Sequence, residues 1–104
     1  MYVTVAPDGR TATLHEADDC TRLHVAAPAG WDDAQVRAVL QHTEAGTVED
    51  HTAWLSVDWL QNAAQNGRLG AQWRGDFAAM IDFARSRGWV SPDATAVRAH
   101  LEFG

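Results

Sequence analysis

Apolar and polar residues alternate at the start of the chain, and the Asp8-Gly9 pair between the two runs predicts a β-hairpin. A two-residue loop sets Val5 opposite Ala12, whereas a three-residue loop with Gly9 as a bulge sets it opposite Thr11. The pattern favours the first register because it collects the apolar residues on one face. These residues are Val3, Val5, Ala12 and Leu14.

Two more segments alternate in the same way. Residues 21–26 predict a third strand with Leu23 and Val25 turned inward. Residues 96–103 alternate strictly, with apolar side chains at the odd positions and mainly polar ones at the even positions. Such a strand has one buried and one wet face, as in an antiparallel sheet.

Helical spacing predicts two longer helices. The first covers residues 31–45, with Asp32 and Asp33 in its first turn, and ends at Gly46. The second ends at Gly88, which is placed to take the left-handed cap. Its apolar stripe consists of Trp73, Phe77, Met80, Ile81 and Ala84.

The middle segment, residues 51–66, fits both the strand and the helix period. We divide it into a strand over residues 51–55 and a short helix that Ser56 caps. The alternative is an unbroken helix from Thr47, for which Thr47-x-x-Asp50 would provide the capping box.

The resulting order is β-β-β-α-β-α-α-β, which is typical of an α+β fold. We expect a single domain over residues 1–104, because 104 residues suit one hydrophobic core. Its sheet is expected to have four or five mainly antiparallel strands, with three helices packed on one face. Residues 67–70 are expected to be a linker between the last two helices.

Composition narrows the classes of partner. Fourteen acidic residues against eight basic ones give a formal charge of -6, so we expect no nucleic-acid partner. Apolar runs are short and the first ten residues hold no basic leader, so we expect no membrane attachment and a cytoplasmic protein.

The lone Cys20 fits a reducing compartment, and its neighbours Asp18 and Asp19 disfavour a reactive thiolate. The basic residues are all arginine, which indicates a bacterial, GC-rich genome.

The chain contains five tryptophans. Trp73 and Trp89 are predicted to fill the core, because their positions in the second long helix and at its cap explain them. Trp31 follows the segment Pro28-Ala29-Gly30, which interrupts regular secondary structure. Trp54 is next to the apolar Leu55, so in a strand the two side chains lie on opposite faces. We therefore predict that Trp31 or Trp54 lines a pocket or an interface.

Polar side chains gather on the other side of the predicted strands. They are Tyr2, Thr4, Thr11, Thr13, His15, Arg22, His24, Arg98, His100 and Glu102. This face is interpreted as a solvated surface or as an interface with a second copy of the chain. The functional alternative is a metal site formed by the histidines, or one histidine that acts as a general base beside Glu102 or Tyr2. Strand order is not determined by the pattern, so we predict no metal ion and no cofactor.

A second group of acidic and histidine side chains lies at residues 42–51, and its spacing matches no ligand pattern. We interpret this segment as a mobile loop between helix and strand. His51, which precedes Trp54 by three residues, is its one candidate for a pocket.

No catalytic signature is present, so whether the protein is an enzyme stays undecided. We expect a small binding or interaction protein that presents its polar sheet face, or a tryptophan-lined edge, to a protein partner or to itself. The alternative is a cofactor-independent enzyme or small-molecule carrier with a pocket between sheet and helices, lined by Trp54 or Trp31. Its acid–base candidates are His51, His100 and Asp58.

Overall fold

The computed structural model describes residues 1–20, 23–65 and 71–104. The elements in this part of the chain are β1 (Tyr2–Val5), β2 (Ala12–His15), β3 (His24–Ala27), α1 (Asp33–His42), β4 (Gly46–Glu49), β5 (Thr52–Ser56), α2 (Val57–Gln65), α3 (Ala71–Ser86) and β6 (Ala96–Phe103). The expected α+β fold with three helices is confirmed. None of the described helices is long and apolar enough to cross a membrane.

The strands form one sheet in the order β2-β1-β3-β6-β5-β4. β1 and β6 both run parallel to β3, and the remaining pairs are antiparallel. Within the described residues the sheet is therefore mixed and has six strands, which corrects the expectation of four or five mainly antiparallel ones. Side chains alternate in both kinds of strand, so the sequence pattern does not distinguish them.

The opening hairpin has the register that the apolar pattern favours. Val5 pairs with Ala12 and Val3 with Leu14. Beyond these pairs, the backbone N–H of Ala6 donates to the carbonyl oxygen of Thr11 at 2.9 Å. The aliphatic side of the hairpin consequently faces the core.

The third and the last strand follow their predicted alternation. β3 begins at His24 with Val25 fully buried, whereas Thr21 and Arg22 lie outside the described residues. In β6 the inward positions start buried, but Phe103 is 43% exposed, against the prediction. The reason is that Phe103 and Ala27 form the last pair of their ladder, at the rim of the sheet.

The buried side chains form one cluster between the sheet and the helices. Phe77 of α3, Leu40 of α1 and Leu60 of α2 are its largest fully buried helical side chains. Trp73 is 6% exposed, so its predicted place in the core is confirmed. Its indole N–H donates to the carbonyl oxygen of Ala17, which satisfies the one polar atom that this ring buries.

Helix α1 is shorter than the predicted range 31–45 at both ends, because Asp32 is its N-cap and Thr43 is its C-cap. The Asp32 carboxylate accepts the backbone N–H of Gln35 at 2.9 Å. The Gln35 side chain accepts the backbone N–H of Asp32 at the same distance, which completes a capping box. Trp31 stays outside the helix, and Gly46 opens the next strand instead of closing this helix.

A hairpin of β4 and β5 replaces the loop that we predicted for residues 42–51. Thr47 lies within β4, so the alternative of an unbroken helix from this residue is wrong. The turn residues Asp50 and His51 have φ angles of 50° and 62°. A two-residue hairpin turn needs this left-handed backbone, and the usual Asn-Gly or Asp-Gly signal is missing here.

The predicted change from strand to helix at Ser56 is confirmed. Ser56 ends β5, and its hydroxyl oxygen accepts the backbone N–H of Trp59 at 3.1 Å. This contact satisfies one free amide of the first turn of α2. The predicted linker, residues 67–70, lies outside the described residues.

Helix α3 ends as its sequence predicts. Gly88 adopts a φ of 76°, and the backbone N–H of Trp89 donates to the carbonyl oxygen of Ala84 at 2.9 Å. The chain then reverses, and Val90 pairs with Val97 at the start of β6. This short ladder determines the side of the sheet on which Trp89 lies.

Candidate functional site

The sheet has a core side and an opposite side, which we call the open face. The strand ladders bring six of the eight candidate residues to this face, because residues opposite one another in adjacent strands share a side. They are His15, His24, Trp54, Arg98, His100 and Glu102. The strand order was the missing information, and with it the predicted polar face becomes a defined surface.

One row of the open face is aromatic. Tyr2 lies between His15 and His24, with ring centroids 5.0 and 5.1 Å apart and interplanar angles of 15° and 9°. His100 continues the row, since it pairs with His24 across the parallel ladder. His15 is the outer ring of the row, and the Thr4 hydroxyl lies 2.9 Å from its Nε2 atom. The row thus presents a stiff, flat surface across four neighbouring strands.

A carboxylate lies beside this row. Oε2 of Glu102 is 3.5 Å from Nε2 of His24, and both side chains are partly exposed. Because Glu102 is two residues beyond His100 on β6, it follows the same face of the sheet. This contact can hold the His24 ring in one orientation. The Glu102 carboxylate in turn has His24 as its partner.

A second row consists of two tryptophans on either side of an arginine. Arg98 pairs with Trp54 across the β5–β6 ladder. On its other side the backbone N–H of Arg98 donates to the carbonyl oxygen of Trp89 at 2.7 Å, next to the Val90–Val97 bridge. Directly opposite residues of an antiparallel pair share a face, so Trp89 flanks Arg98 on the open face.

The guanidinium of Arg98 has no partner among the described residues. It is exposed and takes part in no ion pair, side-chain hydrogen bond or ring contact with the described residues. The described arginine that lies over an aromatic ring is Arg87, which is 5.0 Å from the ring centroid of Phe83. Arg98 therefore keeps its full set of side-chain donors for another molecule.

A cleft of about 790 Å³ opens where the two rows meet the end of α3. Its apolar wall includes Met80, Phe83 and Trp89. Its polar wall is formed by residues of the open face and by two acidic residues that follow β2. The open-face residues are Tyr2, His24, Arg98, His100 and Glu102, and the other two are Glu16 and Asp19. This volume lies within the range of about 300–1,000 Å³ that is usual for small-molecule sites.

The structure also corrects the prediction for Trp89. We predicted it in the core, but it is 37% exposed and packs edge-on against Phe83, with 6.0 Å between the ring centroids. The cause is the reversal at Gly88, after which Val90 turns inward to meet Val97. The sequence carries a signal for this, because Trp89 and Val90 are adjacent and an extended segment turns adjacent side chains to opposite faces.

The remaining candidates lie elsewhere. Trp31 is half-buried before α1, and His51 sits in the β4–β5 turn, where its Nδ1 contacts the Asp33 carboxylate. Neither Trp31 nor Trp54 lines this cleft, and their role in a pocket or an interface stays a prediction. Of the acid–base candidates, His100 lines the cleft, whereas His51 and Asp58 are not among its lining residues.

Within residues 1–20, 23–65 and 71–104, no three histidine, cysteine or acidic side chains come together in a way that could hold a metal ion. Burial raises the pKa of the Cys20 thiol, and the nearby carboxylates, Asp76 first, add to this effect. A raised pKa keeps the thiol protonated, in agreement with a structural role.

No protein-family model, no curated protein and no solved structure matches this chain.

Proposed function

We propose that this protein is a small binding protein that takes a small molecule into the cleft beside Trp89. One observation carries the proposal, namely that four of the residues that the sequence predicts to be functional line one cleft. They are His24, Arg98, His100 and Glu102. The proposal corresponds to the small-molecule carrier that the sequence offers as an alternative. Its tryptophan is Trp89 instead of Trp54 or Trp31.

The composition of the walls supports binding. Ligand sites usually combine an apolar surface, which supplies affinity, with a few polar groups that fix orientation. Phe83 and Trp89 are large apolar side chains that are 54% and 37% exposed. Burying such rings under a ligand removes apolar area from water, which is the main favourable contribution to binding.

The test is a ligand-observed NMR screen of a diverse fragment library against the full chain. We expect hits whose signals are lost with Trp89→Ala and reduced with His100→Ala, an exposed position that leaves the core intact. Trp31→Ala is the matched control, since Trp31 is also partly exposed but lies outside the cleft. An absence of hits, or hits equally sensitive to Trp31→Ala, would contradict the proposal.

A second candidate is self-association through the open face, which the sequence analysis also favoured. The face carries both charge signs, with Arg98 and Glu102 four residues apart on β6, so two copies related by a two-fold axis can pair them reciprocally. The partly exposed Trp54 lies beside Arg98 and provides an aromatic anchor. Light scattering after size exclusion measures the molar mass and so tests this candidate. A monomer at all concentrations would exclude it.

A further inference from the structure

We infer that the ligand of the cleft is a flat organic carboxylate whose anionic group binds Arg98 and whose apolar body lies against Trp89. This inference rests on the proposed function, and it adds the charge and the shape of the ligand. Its starting point is the row in which Trp54, Arg98 and Trp89 lie side by side on the open face.

Arg98 is suited to a carboxylate because its guanidinium has no other described partner. The nearest acidic residue along its own strand is Glu102, which contacts His24 instead. A guanidinium presents parallel N–H donors that match the two oxygens of a carboxylate, and such pairs are stronger than neutral hydrogen bonds. An arginine without an ion pair at the wall of a cleft therefore selects for an anion.

The aromatic side chains select for a flat body. Phe83 meets Trp89 edge-on, and Arg87 lies over the Phe83 ring. These contacts restrict the indole of Trp89 beside the cleft, so its free surface is available for stacking. Trp54 flanks the other side of Arg98 and limits the space around the guanidinium.

Three acidic residues line the cleft in the part of the chain that the structure describes, namely Glu16, Asp19 and Glu102. Glu102 contacts His24, and Asp19 lies between β2 and β3. Glu16 directly follows β2, and β2 is three strands away from β6. With about 4.8 Å between neighbouring strands, the two sides are roughly 14 Å apart. At this distance, beyond the Debye length at physiological salt, repulsion between Glu16 and a carboxylate on Arg98 is largely screened.

The test uses three probes with one aromatic body, namely naphthoate, the uncharged naphthamide and the cationic naphthylmethylamine. Dissociation constants are measured by titration calorimetry on the full chain. We expect naphthoate to bind at least about tenfold more tightly than naphthamide, because a charge-assisted pair replaces a neutral contact. Acetate, which has the charge without the flat body, is expected to bind far more weakly than naphthoate.

Variants separate the two parts of the site. Arg98→Gln is expected to remove the preference for naphthoate over naphthamide, and Trp89→Leu to weaken both probes. Arg74→Gln is the control, since Arg74 is exposed on α3, away from the cleft, and its loss changes the net charge equally. Thermal unfolding of each variant verifies that the fold is retained.

The outcomes distinguish the inference from the proposed function. If naphthamide or naphthylmethylamine binds as tightly as naphthoate and Trp89→Leu weakens it, the cleft is a binding site but the carboxylate inference is wrong. Retention of the naphthoate preference in Arg98→Gln has the same meaning. If none of these probes binds and the fragment screen also fails, the inference and the proposed function are both overturned.

Discussion

Trp89 lies directly opposite Arg98 across a short antiparallel ladder, with the Arg98 N–H donating to the Trp89 carbonyl oxygen at 2.7 Å. This ladder joins the end of α3 to the start of β6, so it connects the helical layer to the open face. It places a large aromatic side chain beside a guanidinium that has no partner in the described part of the chain. The cleft and its chemistry depend on this one juxtaposition.

The first prediction concerns two phenylalanines on α3. Phe77 is 1% exposed and Phe83 is 54% exposed. We expect Phe77→Ala to reduce the free energy of unfolding by about 3–5 kcal/mol, because it leaves a cavity in the core. Phe83→Ala, the same change on the same helix, is expected to cost less than about 1 kcal/mol. Urea unfolding measures both, and equal losses would refute the assignment of the buried side of α3.

The second prediction concerns two glycines. A Cβ added at Gly46 would lie 2.1 Å from the carbonyl oxygen of Trp54 and 3.0 Å from the Cα of Leu55. Because both obstacles are backbone atoms, we expect Gly46→Ala to separate β4 from β5 and to destabilise the protein strongly.

Gly75 provides the control for this glycine. It lies within α3, and a Cβ there meets nothing within 4 Å. Gly75→Ala is expected to raise the free energy of unfolding by about 0.5–1 kcal/mol, since alanine loses less backbone entropy in a helix. Thermal unfolding compares the two, and tolerance of Gly46→Ala would contradict the close approach of β4 and β5.

The third prediction concerns the capping residue of α2. The Ser56 hydroxyl accepts the Trp59 N–H, so Ser56→Ala is expected to cost about 1 kcal/mol of stability. Ser56→Asp restores an acceptor at the helix N-terminus and should recover most of this loss. Chemical unfolding of the two variants tests the contact, and an equal effect of both substitutions would show that capping is not the cause.

The fourth prediction is a pH dependence. Hydrogen bonds from the Ser91 hydroxyl, then from the Thr95 hydroxyl and N–H, lower the pKa of Asp93 to about 2. Since this pKa is depressed on folding, the contribution of Asp93 to stability is present above its ordinary pKa of 3.8. It is lost as the pH falls from there through about 2.

Carbon NMR of the Asp93 carboxyl group measures this titration. Ser91→Ala should raise the pKa toward its ordinary value, because it removes the largest cause of the shift. Ser86→Ala, whose hydroxyl donates to the carbonyl oxygen of Phe83 instead, should leave it unchanged. An Asp93 pKa that does not respond to Ser91→Ala would disprove the role of this turn.

The elements that the sequence predicts well are those with a local cause. The register of β1 and β2 follows from the alternation around Asp8-Gly9, and the end of α3 follows from Gly88. Ser56 likewise marks a helix start through its own hydroxyl. In each case the residues that determine the structure lie within a few positions of one another.

The rest depends on contacts between distant segments. Nothing near β3 in the chain indicates that it lies between β1 and β6. β4 is missed because its turn residues, Asp50 and His51, adopt positive φ angles without glycine. For the site, the open face can be predicted from alternation, but the proximity of Trp54 and Trp89 to Arg98 needs the pairing of three segments.

The most direct test of the account is the indole N–H spectrum of the full, nitrogen-labelled chain during a titration with naphthoate. Five tryptophans give five signals, which single substitutions assign. We predict that the Trp89 signal moves most and the Trp54 signal next. The Trp73 signal should stay in place, because its N–H is bonded to Ala17 in the core. Shifts of Trp31 or Trp59 without a shift of Trp89 would contradict a ligand site at Arg98.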